Sequence, residues 1–343
     1  AEGVKIGFEN VDGLVADLGG GSLELARVEN NIVTNKTSLP FGVLRLLNNP
    51  IVKKRNLAKY IKKLLREEKW LSKKKFNNLY LVGGTWRALF KLHLFQNNHP
   101  VHIIHQYSID NNVLSKFVEK ISSFNKSKLK TVEYISKSRT SYLPYSCIIL
   151  DEIMKVSNPK KIICSISGLR EGSLSIDHFK DVKESEIFYK ALEKVAQKRG
   201  DLGSNYKKYY DFIQPVFEGN EHFNKKLLYL ACVLSHMDWG LGAFQKAELV
   251  FQETINTPLL RLTHKERIQL ALSCYWRYCS IKYNPKMEYL TFLNNNEIFS
   301  SKQVGAALRF SQSLTSISTI FLEEFKLYKR GNALFLKITS QHK

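Results

Sequence analysis

The sequence has few cysteines, no long apolar run and too few acidic residues to balance its basic ones. No stretch approaches the ~20 apolar residues that a membrane-spanning helix needs, and the first residues contain no apolar signal core. The five cysteines form no CxxC spacing and are odd in number, and most lie in apolar runs: Cys147, Cys164, Cys232, Cys274 and Cys279. They are typical of buried, reduced thiols, so we expect a cytoplasmic protein without a membrane partner.

The shortage of acidic residues leaves a strong positive charge. The chain has 31 Asp and Glu against 52 Lys and Arg, a net charge of +21. Such a charge predicts attraction to polyanions, among them nucleic acid, polyphosphate, nucleotides and anionic membranes. A lysine-rich and asparagine-rich proteome would produce the same excess, and composition alone leaves both explanations open.

The length of 343 residues predicts two or three domains. The first half alternates strand and helix patterns, with three meandering strands followed by helices and further strands, which indicates a mixed α/β sheet covered by helices. From about residue 184 the pattern is mostly helical, and the last part, 325–338, is typical of a β-hairpin. We place the domain boundary in the charged stretch 176–186, which gives domains 1–176 and 177–343.

A glycine-rich turn follows the first strand, in the segment GLVADLGGGSLELARV (13–28). We expect this turn to require positive φ, which glycine allows together with a close approach of the backbone to a ligand. The turn can then direct several N–H groups at one point: Gly19, Gly20, Gly21 and Ser22. Ser22 adds a hydroxyl donor, and Asp17 is an oxygen ligand suited to hydrated Mg²⁺. The turn lacks the lysine of a GxxxxGK[ST] loop. It predicts a phosphate and metal site, the alternative being a tight hairpin without a ligand.

Two further glycine turns occur at strand ends. In LVGGTWRAL (81–89), Gly83 and Gly84 lead into a helix N-terminus that favours anions, and Thr85 is either a helix cap or a ligand contact. The third turn is SISGLREG (165–172). We expect the three turns to converge at one crevice of the sheet, where open α/β sheets bind ligands.

These segments, together with LPFGVLRL (39–46) and HIIHQY (102–107), resemble the Ppx/GppA family of exopolyphosphatases and guanosine pentaphosphatases over residues 3–176. The resemblance implies an actin-like, ribonuclease H-like half-domain. It also implies removal of the terminal phosphate of inorganic polyphosphate, or of the 5′-phosphate of guanosine pentaphosphate, with Mg²⁺ as cofactor and water as nucleophile. A homodimer is implied as well, and nucleic acid is not expected as a partner.

Single residues carry over from the resemblance. Asp17 resembles the metal-associated carboxylate, Gly19, Gly20, Gly21 and Ser22 the second phosphate loop, and Gly83, Gly84 and Thr85 the loop that closes the cleft in nucleotide-binding relatives. We expect Glu24 to support the glycine turn. Arg170 and Glu171 are expected to form a local structural pair.

The chain departs from the family pattern in two places. It contains neither the DxGSNS-type first phosphate loop nor the glutamate that activates water, so 1–176 resembles the second actin-like domain alone. Because that base must lie within hydrogen-bonding reach of the water, we expect little or no activity from this chain by itself. In the helical HD-like domain, His236 and Asp238 are separated by Met237, and we expect His222, His236 and His264 to be core or surface residues rather than metal ligands.

Three functions remain open. The first is a Mg²⁺-dependent hydrolase of phosphoanhydrides, and the second is a non-catalytic, polyanion-binding remnant of the family. The third, an actin-like kinase or ATPase, requires a nucleotide-base pocket that the sequence does not indicate. The positive charge favours polyphosphate over guanosine pentaphosphate, and Arg309, Lys326, Lys329 and Arg330 could extend the anion-binding surface.

Overall fold

The computed structural model describes residues 1–47, 54–73, 75–178, 184–197, 205–219, 223–236, 242–283, 285, 287–315, 319–331 and 333–338. The chain divides into two compact units, Ala1–Ser185 and Glu186–Lys343. The predicted domain boundary after residue 176 remains a prediction.

The first unit contains a six-stranded mixed sheet, as predicted, in the order β3-β2-β1-β4-β6-β5. Strands β1, β4 and β6 are parallel to one another, and the remaining pairs are antiparallel. The strands are β1 Gly13–Leu18, β2 Leu23–Glu29, β3 Ile32–Leu39, β4 Asn78–Val82, β5 Ser108–Asp110 and β6 Lys161–Cys164. The sequence pattern missed β5, because three residues are too few to show alternation.

Helices cover the sheet because the side chains of each strand alternate between its two faces. Leu14, Ala16 and Leu18 belong to the larger core cluster, whereas Val15 packs on the opposite face with Val4. The helices of this unit are α1 Glu2–Gly7, α2 Val43–Leu47, α3 Lys54–Glu67, α4 Lys69–Lys73, α5 Gly84–Gln96, α6 Asn111–Ser122, α7 Lys126–Lys130, α8 Lys137–Thr140, α9 Leu143–Ser157 and α10 Leu169–His178. Asp17 shares the face of Val15, which α1 covers.

The second unit is mostly helical and ends in a β-hairpin, as predicted. Its elements are α11 Glu184–Gln197, α12 Tyr206–Ile213, α13 Lys225–Leu234, α14 Ala243–Asn256, α15 His264–Tyr278, α16 Met287–Leu290, α17 Asn295–Leu314, β7 Phe325–Arg330 and β8 Ala333–Ile338. The predicted capping box of α15 is confirmed: Thr263 and Glu266 exchange side-chain to backbone hydrogen bonds. Within the described ranges, no helix is long and apolar enough to cross a membrane.

His236 lies in the core of the second unit. Its ring contacts the Arg277 guanidinium (3.1 Å between Nδ1 and an Arg277 nitrogen), which also donates to the Ser235 hydroxyl at 2.6 Å. His264 is buried at the start of α15, and His222 and Asp238 lie outside the described residues. The described part of the chain contains no group of three or more His, Cys, Asp or Glu that could hold a metal ion. The HD-like relationship of this unit remains a prediction.

Candidate functional site

The three glycine turns lie side by side at one edge of the sheet. Because β1, β4 and β6 are parallel, their carboxyl ends meet at the same edge, and each end leads into one turn. A Cβ on Gly83 would lie 2.6 Å from the carbonyl oxygen of Leu18, and one on Gly168 would lie 2.6 Å from Val82 Cγ1. The same Gly168 position is 4.0 Å from Asp17 Oδ2. At Gly83 the neighbouring backbone therefore approaches at a distance that only glycine permits, and at Gly168 a side chain of β4 does so.

The turn between β1 and β2 is closed by one hydrogen bond, in which the Gly19 N–H donates to the Ser22 carbonyl at 3.0 Å. Within the described residues, the N–H groups of Gly20 and Gly21 have no protein acceptor. We expected positive φ here, and that expectation was wrong: among the three turns only Gly83 adopts it, at φ +115°. The glycines instead allow neighbouring groups to approach the turn closely and leave its amide N–H groups accessible.

Helix α2 packs its N-terminus on this turn. Val43 N–H donates to Gly19 O, and the N–H groups of the next two residues donate to Gly20 O at 3.0 and 3.1 Å. A Cβ on Gly20 would lie 2.8 Å from Leu44 Cδ1, whereas nothing lies within 4 Å of one on Gly21. A side chain on Gly20 would therefore displace that of Leu44, and Gly21 faces open space. The LPFGVLRL segment holds the turn in place.

Two carboxylates face each other beside the turn. Asp17 on β1 and Glu24 on β2 are directly opposed in the antiparallel register, so their side chains share one face of the sheet. Glu24 Oε1 also accepts from the hydroxyl of Ser22 at 2.5 Å and from that of Ser38 at 3.2 Å. Glu24 supports the turn in this way, as expected, and it also stands beside the predicted metal ligand. The Ser22 hydroxyl predicted to contact phosphate donates here to Glu24.

The electrostatics of Asp17 favour a nearby cation. Burial raises the pKa of Asp17, the Glu24 carboxylate raises it further, and the N-terminal amino group and Arg87 oppose the rise. A divalent cation beside the two carboxylates would relieve both the desolvation and the repulsion. Because Mg²⁺ commonly uses one or two carboxylates and completes its shell with water and phosphate oxygens, the two residues fit this ion.

The N-terminus of α5 provides a second anion-binding element. Gly83 is its N-cap, no side chain caps the helix, and Thr85 is buried in the first turn. Thr85 therefore does not act as the cap. The first N–H groups of a helix attract anions, and Arg87 Nε donates to Gly83 O at 3.4 Å.

The exposed guanidinium of Arg139 lies beside the same helix N-terminus, 3.5 Å from the position of a Cβ on Gly84. The guanidinium groups of Arg87 and Arg139 near this turn were not predicted from the sequence. Arg87 is visible in the LVGGTWRAL motif as a cation one turn after Gly84. Arg139 is 55 residues from Gly84 along the chain, and no local pattern connects the two.

The third glycine turn, between β6 and α10, has a structural role. The Gly168 N–H donates to Glu171 Oε2 at 2.7 Å, so Glu171 stabilises the start of α10. The expected pair of Arg170 with Glu171 is absent from the ion pairs of the described residues, and that expectation was wrong. His105, from the HIIHQY segment, contacts Gly7 O through Nε2 at 3.0 Å and connects α1 to the sheet.

A family comparison agrees with these motifs. The model of the Ppx/GppA phosphatase family matches residues 1–178, slightly more than half of the chain. The chain belongs to this family. No curated protein matches it.

Similar solved structures include an exopolyphosphatase and a member of the Ppx/GppA family. An exopolyphosphatase from Cytophaga hutchinsonii is 18% identical with a TM-score of 0.47, and the match covers 53% of this chain and 62% of that one. The Ppx/GppA family member from Aquifex aeolicus is 22% identical with a TM-score of 0.42, and the match covers 50% and 58%. The chain thus spans less than two thirds of either protein.

Proposed function

We propose that this chain is an exopolyphosphatase-like protein that binds the terminal phosphates of inorganic polyphosphate with Mg²⁺. The observation that carries the proposal is the opposed pair of Asp17 and Glu24 next to the unbonded amides of Gly20 and Gly21. Carboxylates for a metal and N–H groups for phosphate oxygens are the two halves of a phosphate-and-magnesium site.

Each residue has a distinct part in the proposed site. Asp17 and Glu24 hold the cation, which supplies charge stabilisation to the phosphate oxygens when bound. The amides of Gly20 and Gly21 orient the phosphate, and the N-terminus of α5 at Gly84 receives another anionic group. The exposed Arg139 guanidinium adds positive charge beside that helix. The members of the site are Asp17, Gly19, Gly20, Gly21, Ser22, Glu24, Gly83, Gly84 and Thr85.

The substrate is proposed to be polyphosphate rather than guanosine pentaphosphate, because the net charge of +21 suits a long polyanion. The sequence contains no DxGSNS loop, and we propose that the chain alone has little or no hydrolytic activity. The alternative is a polyanion-binding remnant of the family without catalysis. An actin-like half-domain, an HD-like second unit, a homodimer and a cytoplasmic location complete the proposal.

Binding of tripolyphosphate, measured by calorimetry with and without Mg²⁺, tests the site without relying on turnover. We expect Mg²⁺ to strengthen binding. We expect Asp17→Asn and Glu24→Gln each to weaken the Mg²⁺-dependent part by about tenfold or more, since loss of even an outer-shell partner of a metal ligand costs about 10–100-fold in metal affinity. The matched control is Glu119→Gln, an exposed carboxylate on α6. Binding that is independent of Mg²⁺ and unaffected by Asp17→Asn would refute the proposed site.

Phosphate release from polyphosphate separates the enzyme from the remnant. We expect the isolated chain to bind polyphosphate and release almost no phosphate. Substantial release that Asp17→Asn abolishes would disprove the proposed inactivity and establish a complete hydrolase. Binding that persists when Asp17 and Glu24 are both neutralised would favour the remnant, with the basic surface as its only ligand site.

A further inference from the structure

We propose that α3 carries a second polyanion-binding surface, which engages the distal part of a long polyphosphate chain. The inference rests on the proposed function for the identity of the ligand. The surface, named here the α3 basic stripe, consists of Lys59, Lys62, Lys63 and Arg66.

The stripe is a continuous row of cations. Its residues occupy positions i, i+3, i+4 and i+7 of one helix, so they share a face and extend about 10 Å along the axis. Lys62 is half-buried, and the other three are exposed. The stripe borders a surface hollow of about 700 Å³, where Glu67 is the one carboxylate among the described lining residues. Among the described residues, none of the four cations forms an ion pair.

The fold does not need this concentration of charge. The opposite face of α3 fixes the helix, because Leu57, Ile61 and Leu65 are almost fully buried in the larger core cluster. Like charges at i, i+3 and i, i+4 destabilise a helix, by roughly 0.2–0.5 kcal/mol a pair. Repulsion among the four cations therefore destabilises α3. A bound polyanion would make the electrostatic contribution of these cations stabilising.

The surroundings of the stripe favour a single unbranched polyanion over a membrane or a nucleic acid. The apolar face of α3 is buried in the core, so the helix has no face to insert into a bilayer. Tyr60, an aromatic residue that lines the same hollow, is half-buried with its ring edge-on to Phe41 at 6.4 Å, so it offers no free platform for a base. A single row of cations along one helix has the shape needed to contact one linear chain of phosphates.

The α3 basic stripe lies on one side of the sheet, and the two carboxylates of the candidate site, Asp17 and Glu24, lie on the other face. The anchors of α3 share a core cluster with Leu14 and Leu18, whereas Asp17 is on the face of Val15. A short phosphate ligand cannot reach both places, but a long chain can occupy the site with one end and the stripe with another part. Two linked contacts raise the apparent affinity, so we expect affinity to increase with polyphosphate length.

The test compares a stripe variant, Lys59→Gln/Lys62→Gln/Lys63→Gln/Arg66→Gln, with a matched control that removes four exposed lysines elsewhere in the same unit. The control is Lys116→Gln/Lys120→Gln/Lys128→Gln/Lys160→Gln. Both lower the net charge by four, and circular dichroism checks that both remain folded. Binding of long-chain polyphosphate, tripolyphosphate, anionic vesicles and single-stranded RNA is measured with Mg²⁺ over a range of salt concentrations.

We expect the stripe variant to lose about tenfold or more in affinity for the long chain at low salt, with a shallower salt dependence, while tripolyphosphate binding is unchanged. The control should lose much less. Equal losses in both variants would overturn the proposal, as would unchanged long-chain binding. A stripe variant that loses only binding to anionic vesicles or to single-stranded RNA would also overturn it. If the proposed function fails instead, wild type does not bind tripolyphosphate in a Mg²⁺-dependent way, whatever the stripe variant does.

Discussion

Gly83 joins the candidate site to the sheet, and Gly83→Ala should destabilise the first unit strongly. Its φ of +115° is a conformation that residues with a Cβ rarely adopt, and such strain costs about 1–3 kcal/mol. The added Cβ would also lie 2.6 Å from the Leu18 carbonyl oxygen and 3.3 Å from its N and C atoms. Forcing a methyl group into such a contact costs about 1–3 kcal/mol more. We therefore expect a loss of about 2–6 kcal/mol, a large part of the roughly 5–15 kcal/mol that stabilises a domain.

Urea unfolding followed by circular dichroism measures this loss. With a denaturant slope of about 2 kcal/mol per molar urea, the middle of the usual range, the midpoint of the first unit should fall by roughly 1–3 M. Gly21→Ala is the matched control, because its φ is not in the positive range and nothing lies within 4 Å of its added Cβ. That variant should keep its stability or gain up to about 1 kcal/mol. Equal midpoints for the two variants would refute the reasoning from close backbone approach.

Three further variants test the contributions of the charged residues Asp17, Glu266 and Arg267 to stability. Burial raises the pKa of Asp17, so the folded state loses stability as pH rises through that pKa. Asp17→Asn should therefore raise the thermal midpoint at pH 7.5 without Mg²⁺ and abolish any Mg²⁺-induced rise; a lower midpoint would contradict this. In the second unit, burial alone would raise the pKa of Glu266, but Lys226 at 2.7 Å and the cap donors lower it. The stabilisation from the Glu266 carboxylate is present above the pKa that it has in the unfolded chain, and it is lost as pH falls through the lower pKa of the folded state. Glu266→Gln should therefore lower the free energy of unfolding by about 1 kcal/mol at pH 7 and remove this dependence of stability on acid pH. Arg267 is buried and donates to three carbonyls of 255–259, so Arg267→Met should cost about 3 kcal/mol or more in urea unfolding.

Sequence patterns predicted those parts of the molecule that depend on local chemistry. Strands ending in glycine turns, the capping box of α15 and the terminal hairpin each arise from residues close together in the chain. The conformation of Gly19–Gly21 was predicted wrongly, because glycine permits positive φ without requiring it, and here the packing of α2 sets the backbone. The place of Arg139 beside Gly84 follows from tertiary packing alone, since the two residues lie on different helices.

The pairing of Asp17 with Glu24 bears on the alternative that the glycine turn is a hairpin without a ligand. Like charges directly opposed on neighbouring strands are destabilising, and the half-buried position of Asp17 adds a desolvation penalty. A hairpin serving only the fold would gain stability from a neutral or oppositely charged residue at either position. The unfavourable pair becomes favourable once a divalent cation lies beside it, since the cation compensates both costs. The destabilising pair, more than the glycines, therefore supports a metal-dependent phosphate site at this edge of the sheet.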